Sequence, residues 1–241
     1  MARTKRFRNR LGIAVILLLG AAPLAQAQPK AHMVDSLKVT ILSTMLADDG
    51  IGEWGFAALV EADGRRILFD TGARPNTVLQ NAKEMGVDLA SVEEVILSHN
   101  HGDHTGGLLT LRRELRKQAP DAVSRVHVGR GIFWPRGTNP RWQGMPAVKR
   151  DYEALGGSFV EHAELAEIHP GVWLTGPVPR IHPERNWSGT GRLQSPDGEV
   201  EDTIPESMSL VIDTPRGLVV VSGCGHAGIV NTLEYARQTV R

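Results

Sequence analysis

Four side chains that commonly bind metal ions lie within six residues of one another, at His99, His101, Asp103 and His104. Where the backbone is extended, residues two apart point the same way, so His99 and His101 can present two imidazoles to one ion. Gly102 permits a turn that directs Asp103 and His104 towards a second position. Imidazole and carboxylate ligands suit zinc, iron or manganese. The segment therefore predicts a site for one or two metal ions.

A second glycine-rich segment, Gly223-Cys224-Gly225-His226, follows an apolar stretch near the end of the chain. His226 would complete a three-histidine site with His99 and His101 and leave one coordination position for water, which is typical of catalytic rather than structural zinc sites. His226 could instead bond to the backbone near the start of a helix. Cys224 is a rival ligand in the same loop, and its alternative role is that of a small packed side chain.

The segment Phe69-Asp70-Thr71-Gly72 offers a carboxylate at the end of a predicted strand. Asp70 could hydrogen-bond to a metal-binding histidine and fix its tautomer, or it could form an Asx-type turn. The remaining histidines with no ligand-like neighbours are expected at the surface or hydrogen-bonded in the core: His127, His162, His169 and His182.

Alternation of apolar and polar residues predicts the elements that position these side chains. Strands are predicted at 37–45, 56–60, 66–69, 92–97, 122–128, 171–175, 210–212 and 218–222, with a hairpin turn at Asp63-Gly64. A helix capped by Asn76 and ended by Gly86, a helix over 108–117 and a helix after His226 are also predicted. Residues 130–158 and 182–206 are expected to be irregular, with one short helix at most in the first.

Composition and charge exclude several classes of protein. The chain of 241 residues is 41% hydrophobic and 22% charged, which is ordinary for a globular domain. The five charged residues among 1–27 are all basic, so the rest holds 22 Lys and Arg against 27 Asp and Glu. That acidic balance argues against nucleic acid as a partner. One cysteine excludes an intramolecular disulfide.

The first 27 residues are typical of a secretory signal. Basic residues precede an apolar run over 11–24 and the small-residue pattern Ala25-Gln26-Ala27. We expect cleavage after Ala27, a single domain over 28–241, and a periplasmic or secreted bacterial protein with no stable membrane insertion. The alternative is an uncleaved anchor, but the run is shorter than the roughly 20 residues that a membrane-spanning helix needs.

Together these motifs carry a resemblance to a known family. His99-x-His101-x-Asp103-His104, followed by Thr105-Gly106-Gly107 and preceded by Phe69-Asp70-Thr71-Gly72, resembles the metallo-β-lactamase-fold hydrolases. Gly176-Pro177-Val178-Pro179-Arg180 and the segment 223–231 resemble the branch described as dihydropterin ribofuranosyl-aminobenzene phosphate synthase-like. The resemblance covers roughly residues 37–241. It implies an α+β fold, the four-layer αββα sandwich, with the metal site at one sheet edge.

The resemblance also implies a ligand set. His99, His101 and His226 would hold the first metal ion, and Asp103 and His104 the second, with zinc as the expected metal. Members of the branch continue into a Gly-Gly-x-His-Leu segment whose histidine completes the second site, whereas this sequence stops at Arg241. The expectation is therefore a fold that lacks its last strand and helix, with an incomplete second site. Gly225 also stands where relatives often carry Ser.

The function implied is a zinc-dependent hydrolase acting on a small-molecule ester, lactone, amide or phosphoester. Asp103 would anchor metal and orient the water-derived nucleophile. Two alternatives stay open: a pterin-phosphate-type synthase, and a metal-binding member of the fold with impaired catalysis.

Overall fold

The computed structural model describes residues 32–137, 144–184, 186 and 191–241, so the predicted signal segment lies outside the described residues. The described strands are β1 (Leu37–Ser43), β2 (Ala57–Ala62), β3 (Arg65–Phe69), β4 (Glu94–Leu97), β5 (Arg125–Gly129), β6 (Ser158–His162), β7 (Ala166–His169), β8 (Val172–Leu174), β9 (Arg192–Ser195), β10 (Gly198–Glu201), β11 (Ser209–Thr214) and β12 (Gly217–Ser222). The helices are α1 (Thr77–Glu84), α2 (Gly102–Thr105), α3 (Leu108–Leu115), α4 (Gly144–Ala154) and α5 (Ile229–Thr239).

The first sheet holds six strands in the order β1-β2-β3-β4-β5-β6. Strands β1 to β3 are antiparallel, whereas β3 to β6 pair in parallel. The turn between β2 and β3 places Asp63 at φ 46° and Gly64 at φ 81°. Two successive positive φ angles match the twist of a tight hairpin, which confirms the hairpin predicted at Asp63-Gly64.

The second sheet has the order β12-β11-β8-β7 and is antiparallel throughout. Side chains alternate between the two faces of the first sheet, and the inner strands β2 to β5 are mostly buried on both faces. Leu59, Leu68 and Val95 pack with residues of α1, α3 and α4, while Ile67 and Ile96 pack with residues of β8 and β11. Helix α5 contacts β12. The predicted layered α+β architecture is therefore confirmed.

Several local expectations are wrong. Asn76 stands at the N-cap position of α1 as predicted, but its side chain makes no capping hydrogen bond. The segment 182–206 contains the hairpin β9–β10, which has one apolar cross-strand pair, Leu193 with Val200, and therefore little apolar periodicity. The described part of segment 130–158 holds one helix as expected, but α4 has 11 residues and is not short.

The last strand and helix are more exposed than their apolar sequences indicate. In β12 only Val221 is buried. In α5, Ala236 is buried, whereas Ile229, Val230 and Leu233 are exposed. None of the helices in the described residues is long and apolar enough to cross a membrane.

Three of the isolated histidines form one hydrogen-bonded cluster around Glu94, at the start of β4. The Glu94 carboxylate contacts His127 Nε2 at 3.4 Å and also His169 Nε2. His127 Nδ1 lies 2.9 Å from His162 Nε2. The hydrogen bonds from His127 and His169 lower the pKa of Glu94 to about 2, although burial opposes the shift. These histidines are thus hydrogen-bonded, as predicted, and His182 contacts Glu234.

This cluster makes stability depend on pH in a defined direction. Because the folded pKa of Glu94 is lowered from 4.5 to about 2, its contribution to stability is full above about pH 4.5 and is lost as the pH falls towards 2. We expect Glu94→Gln to lower the free energy of unfolding by about 2 kcal/mol at neutral pH. In urea titrations the difference in unfolding free energy between the wild type and Glu94→Gln should shrink below pH 4.5. The exposed neighbour Glu93→Gln is the control, and a deficit that is constant with pH would contradict the account.

Candidate metal centre

The first loop of the site follows β4, a strand whose residues are all buried. Ser98 and His99, which follow β4, are also buried. His101 keeps an extended backbone (φ −71°, ψ 142°) before α2 begins at Gly102. Extended backbone sends His99 and His101 the same way, and their ring centroids are 4.6 Å apart. The structure therefore brings these two predicted ligands together.

The second loop follows β12 and approaches the first through a glycine. A Cβ atom at Gly223 would lie 2.2 Å from Ser98 Oγ, so a larger residue would separate the two loops. The approach places the His226 ring centroid 4.7 Å from those of both His99 and His101. Residues more than 120 positions apart in sequence thus form one cluster of imidazoles.

The ring nitrogens of this cluster have the character of metal ligands. His99 Nε2 and both His226 ring nitrogens are buried and have no hydrogen-bond partner in the described part of the chain. Burial, followed by the charge of neighbouring histidines, lowers the pKa of His99 well below its usual value and that of His226 to about 4. Neutral imidazoles with unshared lone pairs are costly in a protein interior unless they bind something. The donor set therefore fits a metal ion.

A second ligand group lies beside the first. Ligand atoms of Asp103, His104 and Cys224 lie within 4.8 Å of one another. Ligand atoms of His99, His101, Cys224 and His226 also lie within 4.8 Å of one another. The exposed Cys224 thiol is therefore close to both groups. Cys224 Sγ is 3.2 Å from His104 Nε2. The position of Cys224 favours the ligand alternative over the packed side chain.

Asp70 orients histidines of both groups. Its Oδ2 contacts His104 Nδ1 at 2.7 Å and accepts the Ser98 hydroxyl at 2.8 Å, while Oδ1 accepts the Ser98 amide at 2.7 Å. His99 Nδ1 lies 2.9 Å from Ser98 Oγ. Because the hydroxyl hydrogen of Ser98 is already donated to Asp70, His99 Nδ1 carries the hydrogen and donates to Ser98 Oγ. The lone pair of His99 therefore resides on Nε2. Asp70 acts as a hydrogen-bond partner of histidine, and its oxygens make no Asx turn.

The charge of Asp70 also affects the protonation of His104. Burial opposes a charged imidazole, but Asp70 and then Cys224 outweigh it and raise the pKa of His104 to about 10. Asp70 has a left-handed backbone, with φ 58°. This conformation is uncommon for residues other than glycine and clusters at functional sites.

Sequence reasoning missed Glu53, which supports the loop that carries Asp70. Glu53 is 4% exposed. It accepts Ser43 Oγ at 2.8 Å and the amides of Ala73 and Arg74 at 2.9 and 3.0 Å. Glu53 lies in the irregular stretch before β2, where no periodicity or motif indicates a buried carboxylate. Sequence reasoning also missed Arg136 and Glu206, which lie in irregular segments, and Asn100, the unspecified residue between His99 and His101.

Comparison with known proteins agrees with this geometry. A family model described as the metallo-beta-lactamase superfamily matches residues 55–235. The 7,8-dihydropterin-6-methyl-4-(beta-D-ribofuranosyl)-aminobenzene-5'-phosphate synthase of Methanocaldococcus jannaschii is 31% identical over 216 residues, which cover 83% of this chain and 72% of that protein. Hydroxyacylglutathione hydrolase of Xanthomonas axonopodis pv. citri is 40% identical over 85 residues, covering 31% of this chain and 30% of that protein.

A solved structure is similar over most of the chain. The crystal structure of a metal-dependent hydrolase of the beta-lactamase superfamily superposes with a TM-score of 0.64 and 27% sequence identity. The match covers 85% of this chain and 72% of that one. The predicted resemblance, to the superfamily and to its synthase-like branch, is confirmed by these matches.

The position of Asp70 predicts a loss of metal affinity on substitution. Asp70→Asn keeps the size of the side chain and tolerates the left-handed backbone, but it removes the charge that orients His99 and His104. We expect metal affinity to fall about 10- to 100-fold, measured by isothermal titration calorimetry.

Asp63→Asn provides a matched control because Asp63 also has a positive φ (46°) and accepts main-chain amides, at Asp35 and Ser36. Unchanged affinity in Asp70→Asn, or an equal loss in Asp63→Asn, would refute the role of Asp70.

Proposed function

The chain belongs to the metallo-beta-lactamase superfamily, and from this premise we propose that it is a metal-dependent hydrolase of a small-molecule ester, lactone, amide or phosphoester. One observation supports the proposal above the others: imidazoles from two distant loops converge at ring distances of 4.6 to 4.7 Å. Three histidine ligands leave a coordination position for a reacting water.

We assign the ligands as follows. His99, His101 and His226 would hold the first metal ion, and Asp103 and His104 the second, with Cys224 available to either group. Zinc is the proposed metal because nitrogen, sulfur and carboxylate ligands together suit it well. When bound, such an ion supplies a water of lowered pKa and polarises the carbonyl or phosphoryl group of the substrate.

The protein's own residues orient the reacting groups. The Asp103 carboxylate lies 3.5 Å from His104 Nε2 and is partly exposed, so it can accept a hydrogen bond from a water at the site. The main-chain oxygen of Asp103 accepts the Phe56 amide at 3.1 Å, which fixes the start of α2. Asp103 is thus the candidate catalytic residue, and His104 is held by Asp70.

A synthase is the second candidate, and the relative from Methanocaldococcus jannaschii favours it. We also propose, from residues 1–27, that the protein is exported to the periplasm or beyond the cell. Export disfavours a biosynthetic role, because biosynthetic enzymes are usually cytoplasmic. A third candidate is a metal-binding member of the fold with impaired catalysis.

Removal of one ligand tests the metal site. We expect His226→Ala to lose metal, counted per chain by mass spectrometry of the eluted ions, and to lose turnover by at least about 10³-fold, since the metal supplies several kcal/mol to the transition state. His32→Ala, which alters an exposed histidine paired with Asp63, is the control. Full metal content and turnover in His226→Ala would overturn the assignment.

A substrate panel separates the candidate functions. Lactones, esters, amides and phosphodiesters are offered to the metal-loaded protein, and the hydrolase proposal predicts metal-dependent cleavage of one class. Product formation only with a pterin-like phosphate and a second substrate would support the synthase. Stoichiometric metal with no reaction in either assay would support the catalytically impaired alternative.

A further inference from the structure

Asn100 lies between the ligands His99 and His101, and it is tied to residues far away in sequence. Its side chain is 9% exposed. The main-chain N–H of Asn100 donates to Glu206 Oε1 at 3.2 Å. With the side-chain oxygen facing Arg136, that oxygen accepts from Nη1 at 2.9 Å and lies 3.1 Å from Nε. Main chain and side chain of Asn100 are therefore both held by the same pair of buried charges.

Arg136 is fixed on every side. It is 2% exposed, its Nε donates to Asp202 Oδ2 at 2.8 Å, and its Nη2 donates to Glu206 Oε2. Nη1 also reaches the carbonyl oxygens of residues 131, 132 and 134 at 3.3 to 3.4 Å. Glu206 is fully buried and Asp202 is 5% exposed. A guanidinium paired with two buried carboxylates has one geometry, which suits it to locate other groups. We call Arg136, Asp202 and Glu206 the Arg136 network.

The same network borders the second loop of the metal centre. Asp202 Oδ1 accepts the Ile204 amide at 3.0 Å, and Ile204 has a φ of 57°. A β-branched residue in the left-handed region is strained, so its surroundings must hold it there. Arg180 donates to the Ile204 carbonyl at 3.4 Å and to the His226 carbonyl at 2.5 Å. Segment 202–206 is thus linked to both ligand loops.

We propose that Arg136 and Glu206 are positioning residues for the metal centre: through Asn100 they hold His99 and His101 at the spacing required to share one ion with His226. The inference rests on the proposed metal site and assigns a role to residues outside it. Neither residue touches the ligand atoms, so their effect passes through the backbone and side chain of Asn100. Residues that orient metal ligands from outside contribute about 10- to 100-fold to affinity.

The experiment compares two variants with a matched control. Arg136→Met removes the guanidinium but leaves Asp202 and Glu206 buried without their partner, which endangers folding. Asn100→Ala removes only the acceptor and keeps the charges paired. Arg112→Met is the control, because Arg112 is 5% exposed and donates to four main-chain carbonyls, those of Pro120, Ala122, Leu155 and Gly156. Arg112→Met shows the effect of losing a buried arginine that is not part of the Arg136 network.

Two measurements are made on full-length protein loaded with Co²⁺ alone: the dissociation constant, and the visible absorption that reports ligand geometry. We expect Asn100→Ala and folded Arg136→Met each to bind Co²⁺ at least 10-fold more weakly with an altered spectrum. The double variant should bind no more weakly than the weaker single variant, because the acceptor that Asn100→Ala removes has already lost its donor in Arg136→Met. Arg112→Met should lower thermal stability but keep affinity and spectrum.

Wild-type affinity and spectrum in Asn100→Ala would overturn the inference, as would an equal loss in Arg112→Met. If Arg136→Met does not fold, Asn100→Ala decides. Hydrogen exchange of residues 99–104 in metal-free protein separates this result from failure of the proposed function. If the wild type binds no Co²⁺, the proposed function fails and the inference fails with it. If the wild type binds Co²⁺ but Asn100→Ala shows wild-type affinity and wild-type exchange, the inference alone fails.

Discussion

The crowding of imidazoles in a buried space is the constraint on which the rest of the structure depends. The His99 ring lies 4.3 to 4.7 Å from the rings of His101, His104 and His226, and His99 and His226 present buried nitrogens with no hydrogen bond in the described residues. Each buried nitrogen without a partner costs about 1–3 kcal/mol. Such a cluster persists only where the surrounding fold holds both loops rigidly and a ligand compensates the cost.

The layered fold provides that rigidity. Both faces of β4 are buried, so the end of this strand cannot shift without disturbing two cores. At the end of β12, Gly223 allows the second loop to approach Ser98 directly. Asp70 and Ser98 then set the direction of the ring nitrogens by hydrogen bonds, and Glu53 holds the main chain that follows Asp70. Packing brings the loops together, and a small number of buried polar groups orients the ligands.

The sequence indicates the candidate ligands more clearly than the residues that support them. The spacing of His99, His101 and His104 and the glycines around His226 are local signals, and Asp63-Gly64 specifies its hairpin through backbone preference alone. Glu206 and Arg136, by contrast, are 70 residues apart and lie in irregular segments, so their pairing has no periodicity to reveal it. The histidines around Glu94 also come from three strands. In α5 the apolar pattern overstated burial, because the residues at Ile229 and Leu233 stay exposed.

The most direct measurement of the central claim is an anomalous-scattering map at the zinc edge from crystals of the zinc-loaded protein. The account predicts an ion within about 2.0–2.1 Å of one ring nitrogen each from His99, His101 and His226. An ion coordinated by residues of only one loop, or no ion between these rings in protein that carries stoichiometric zinc, would contradict it.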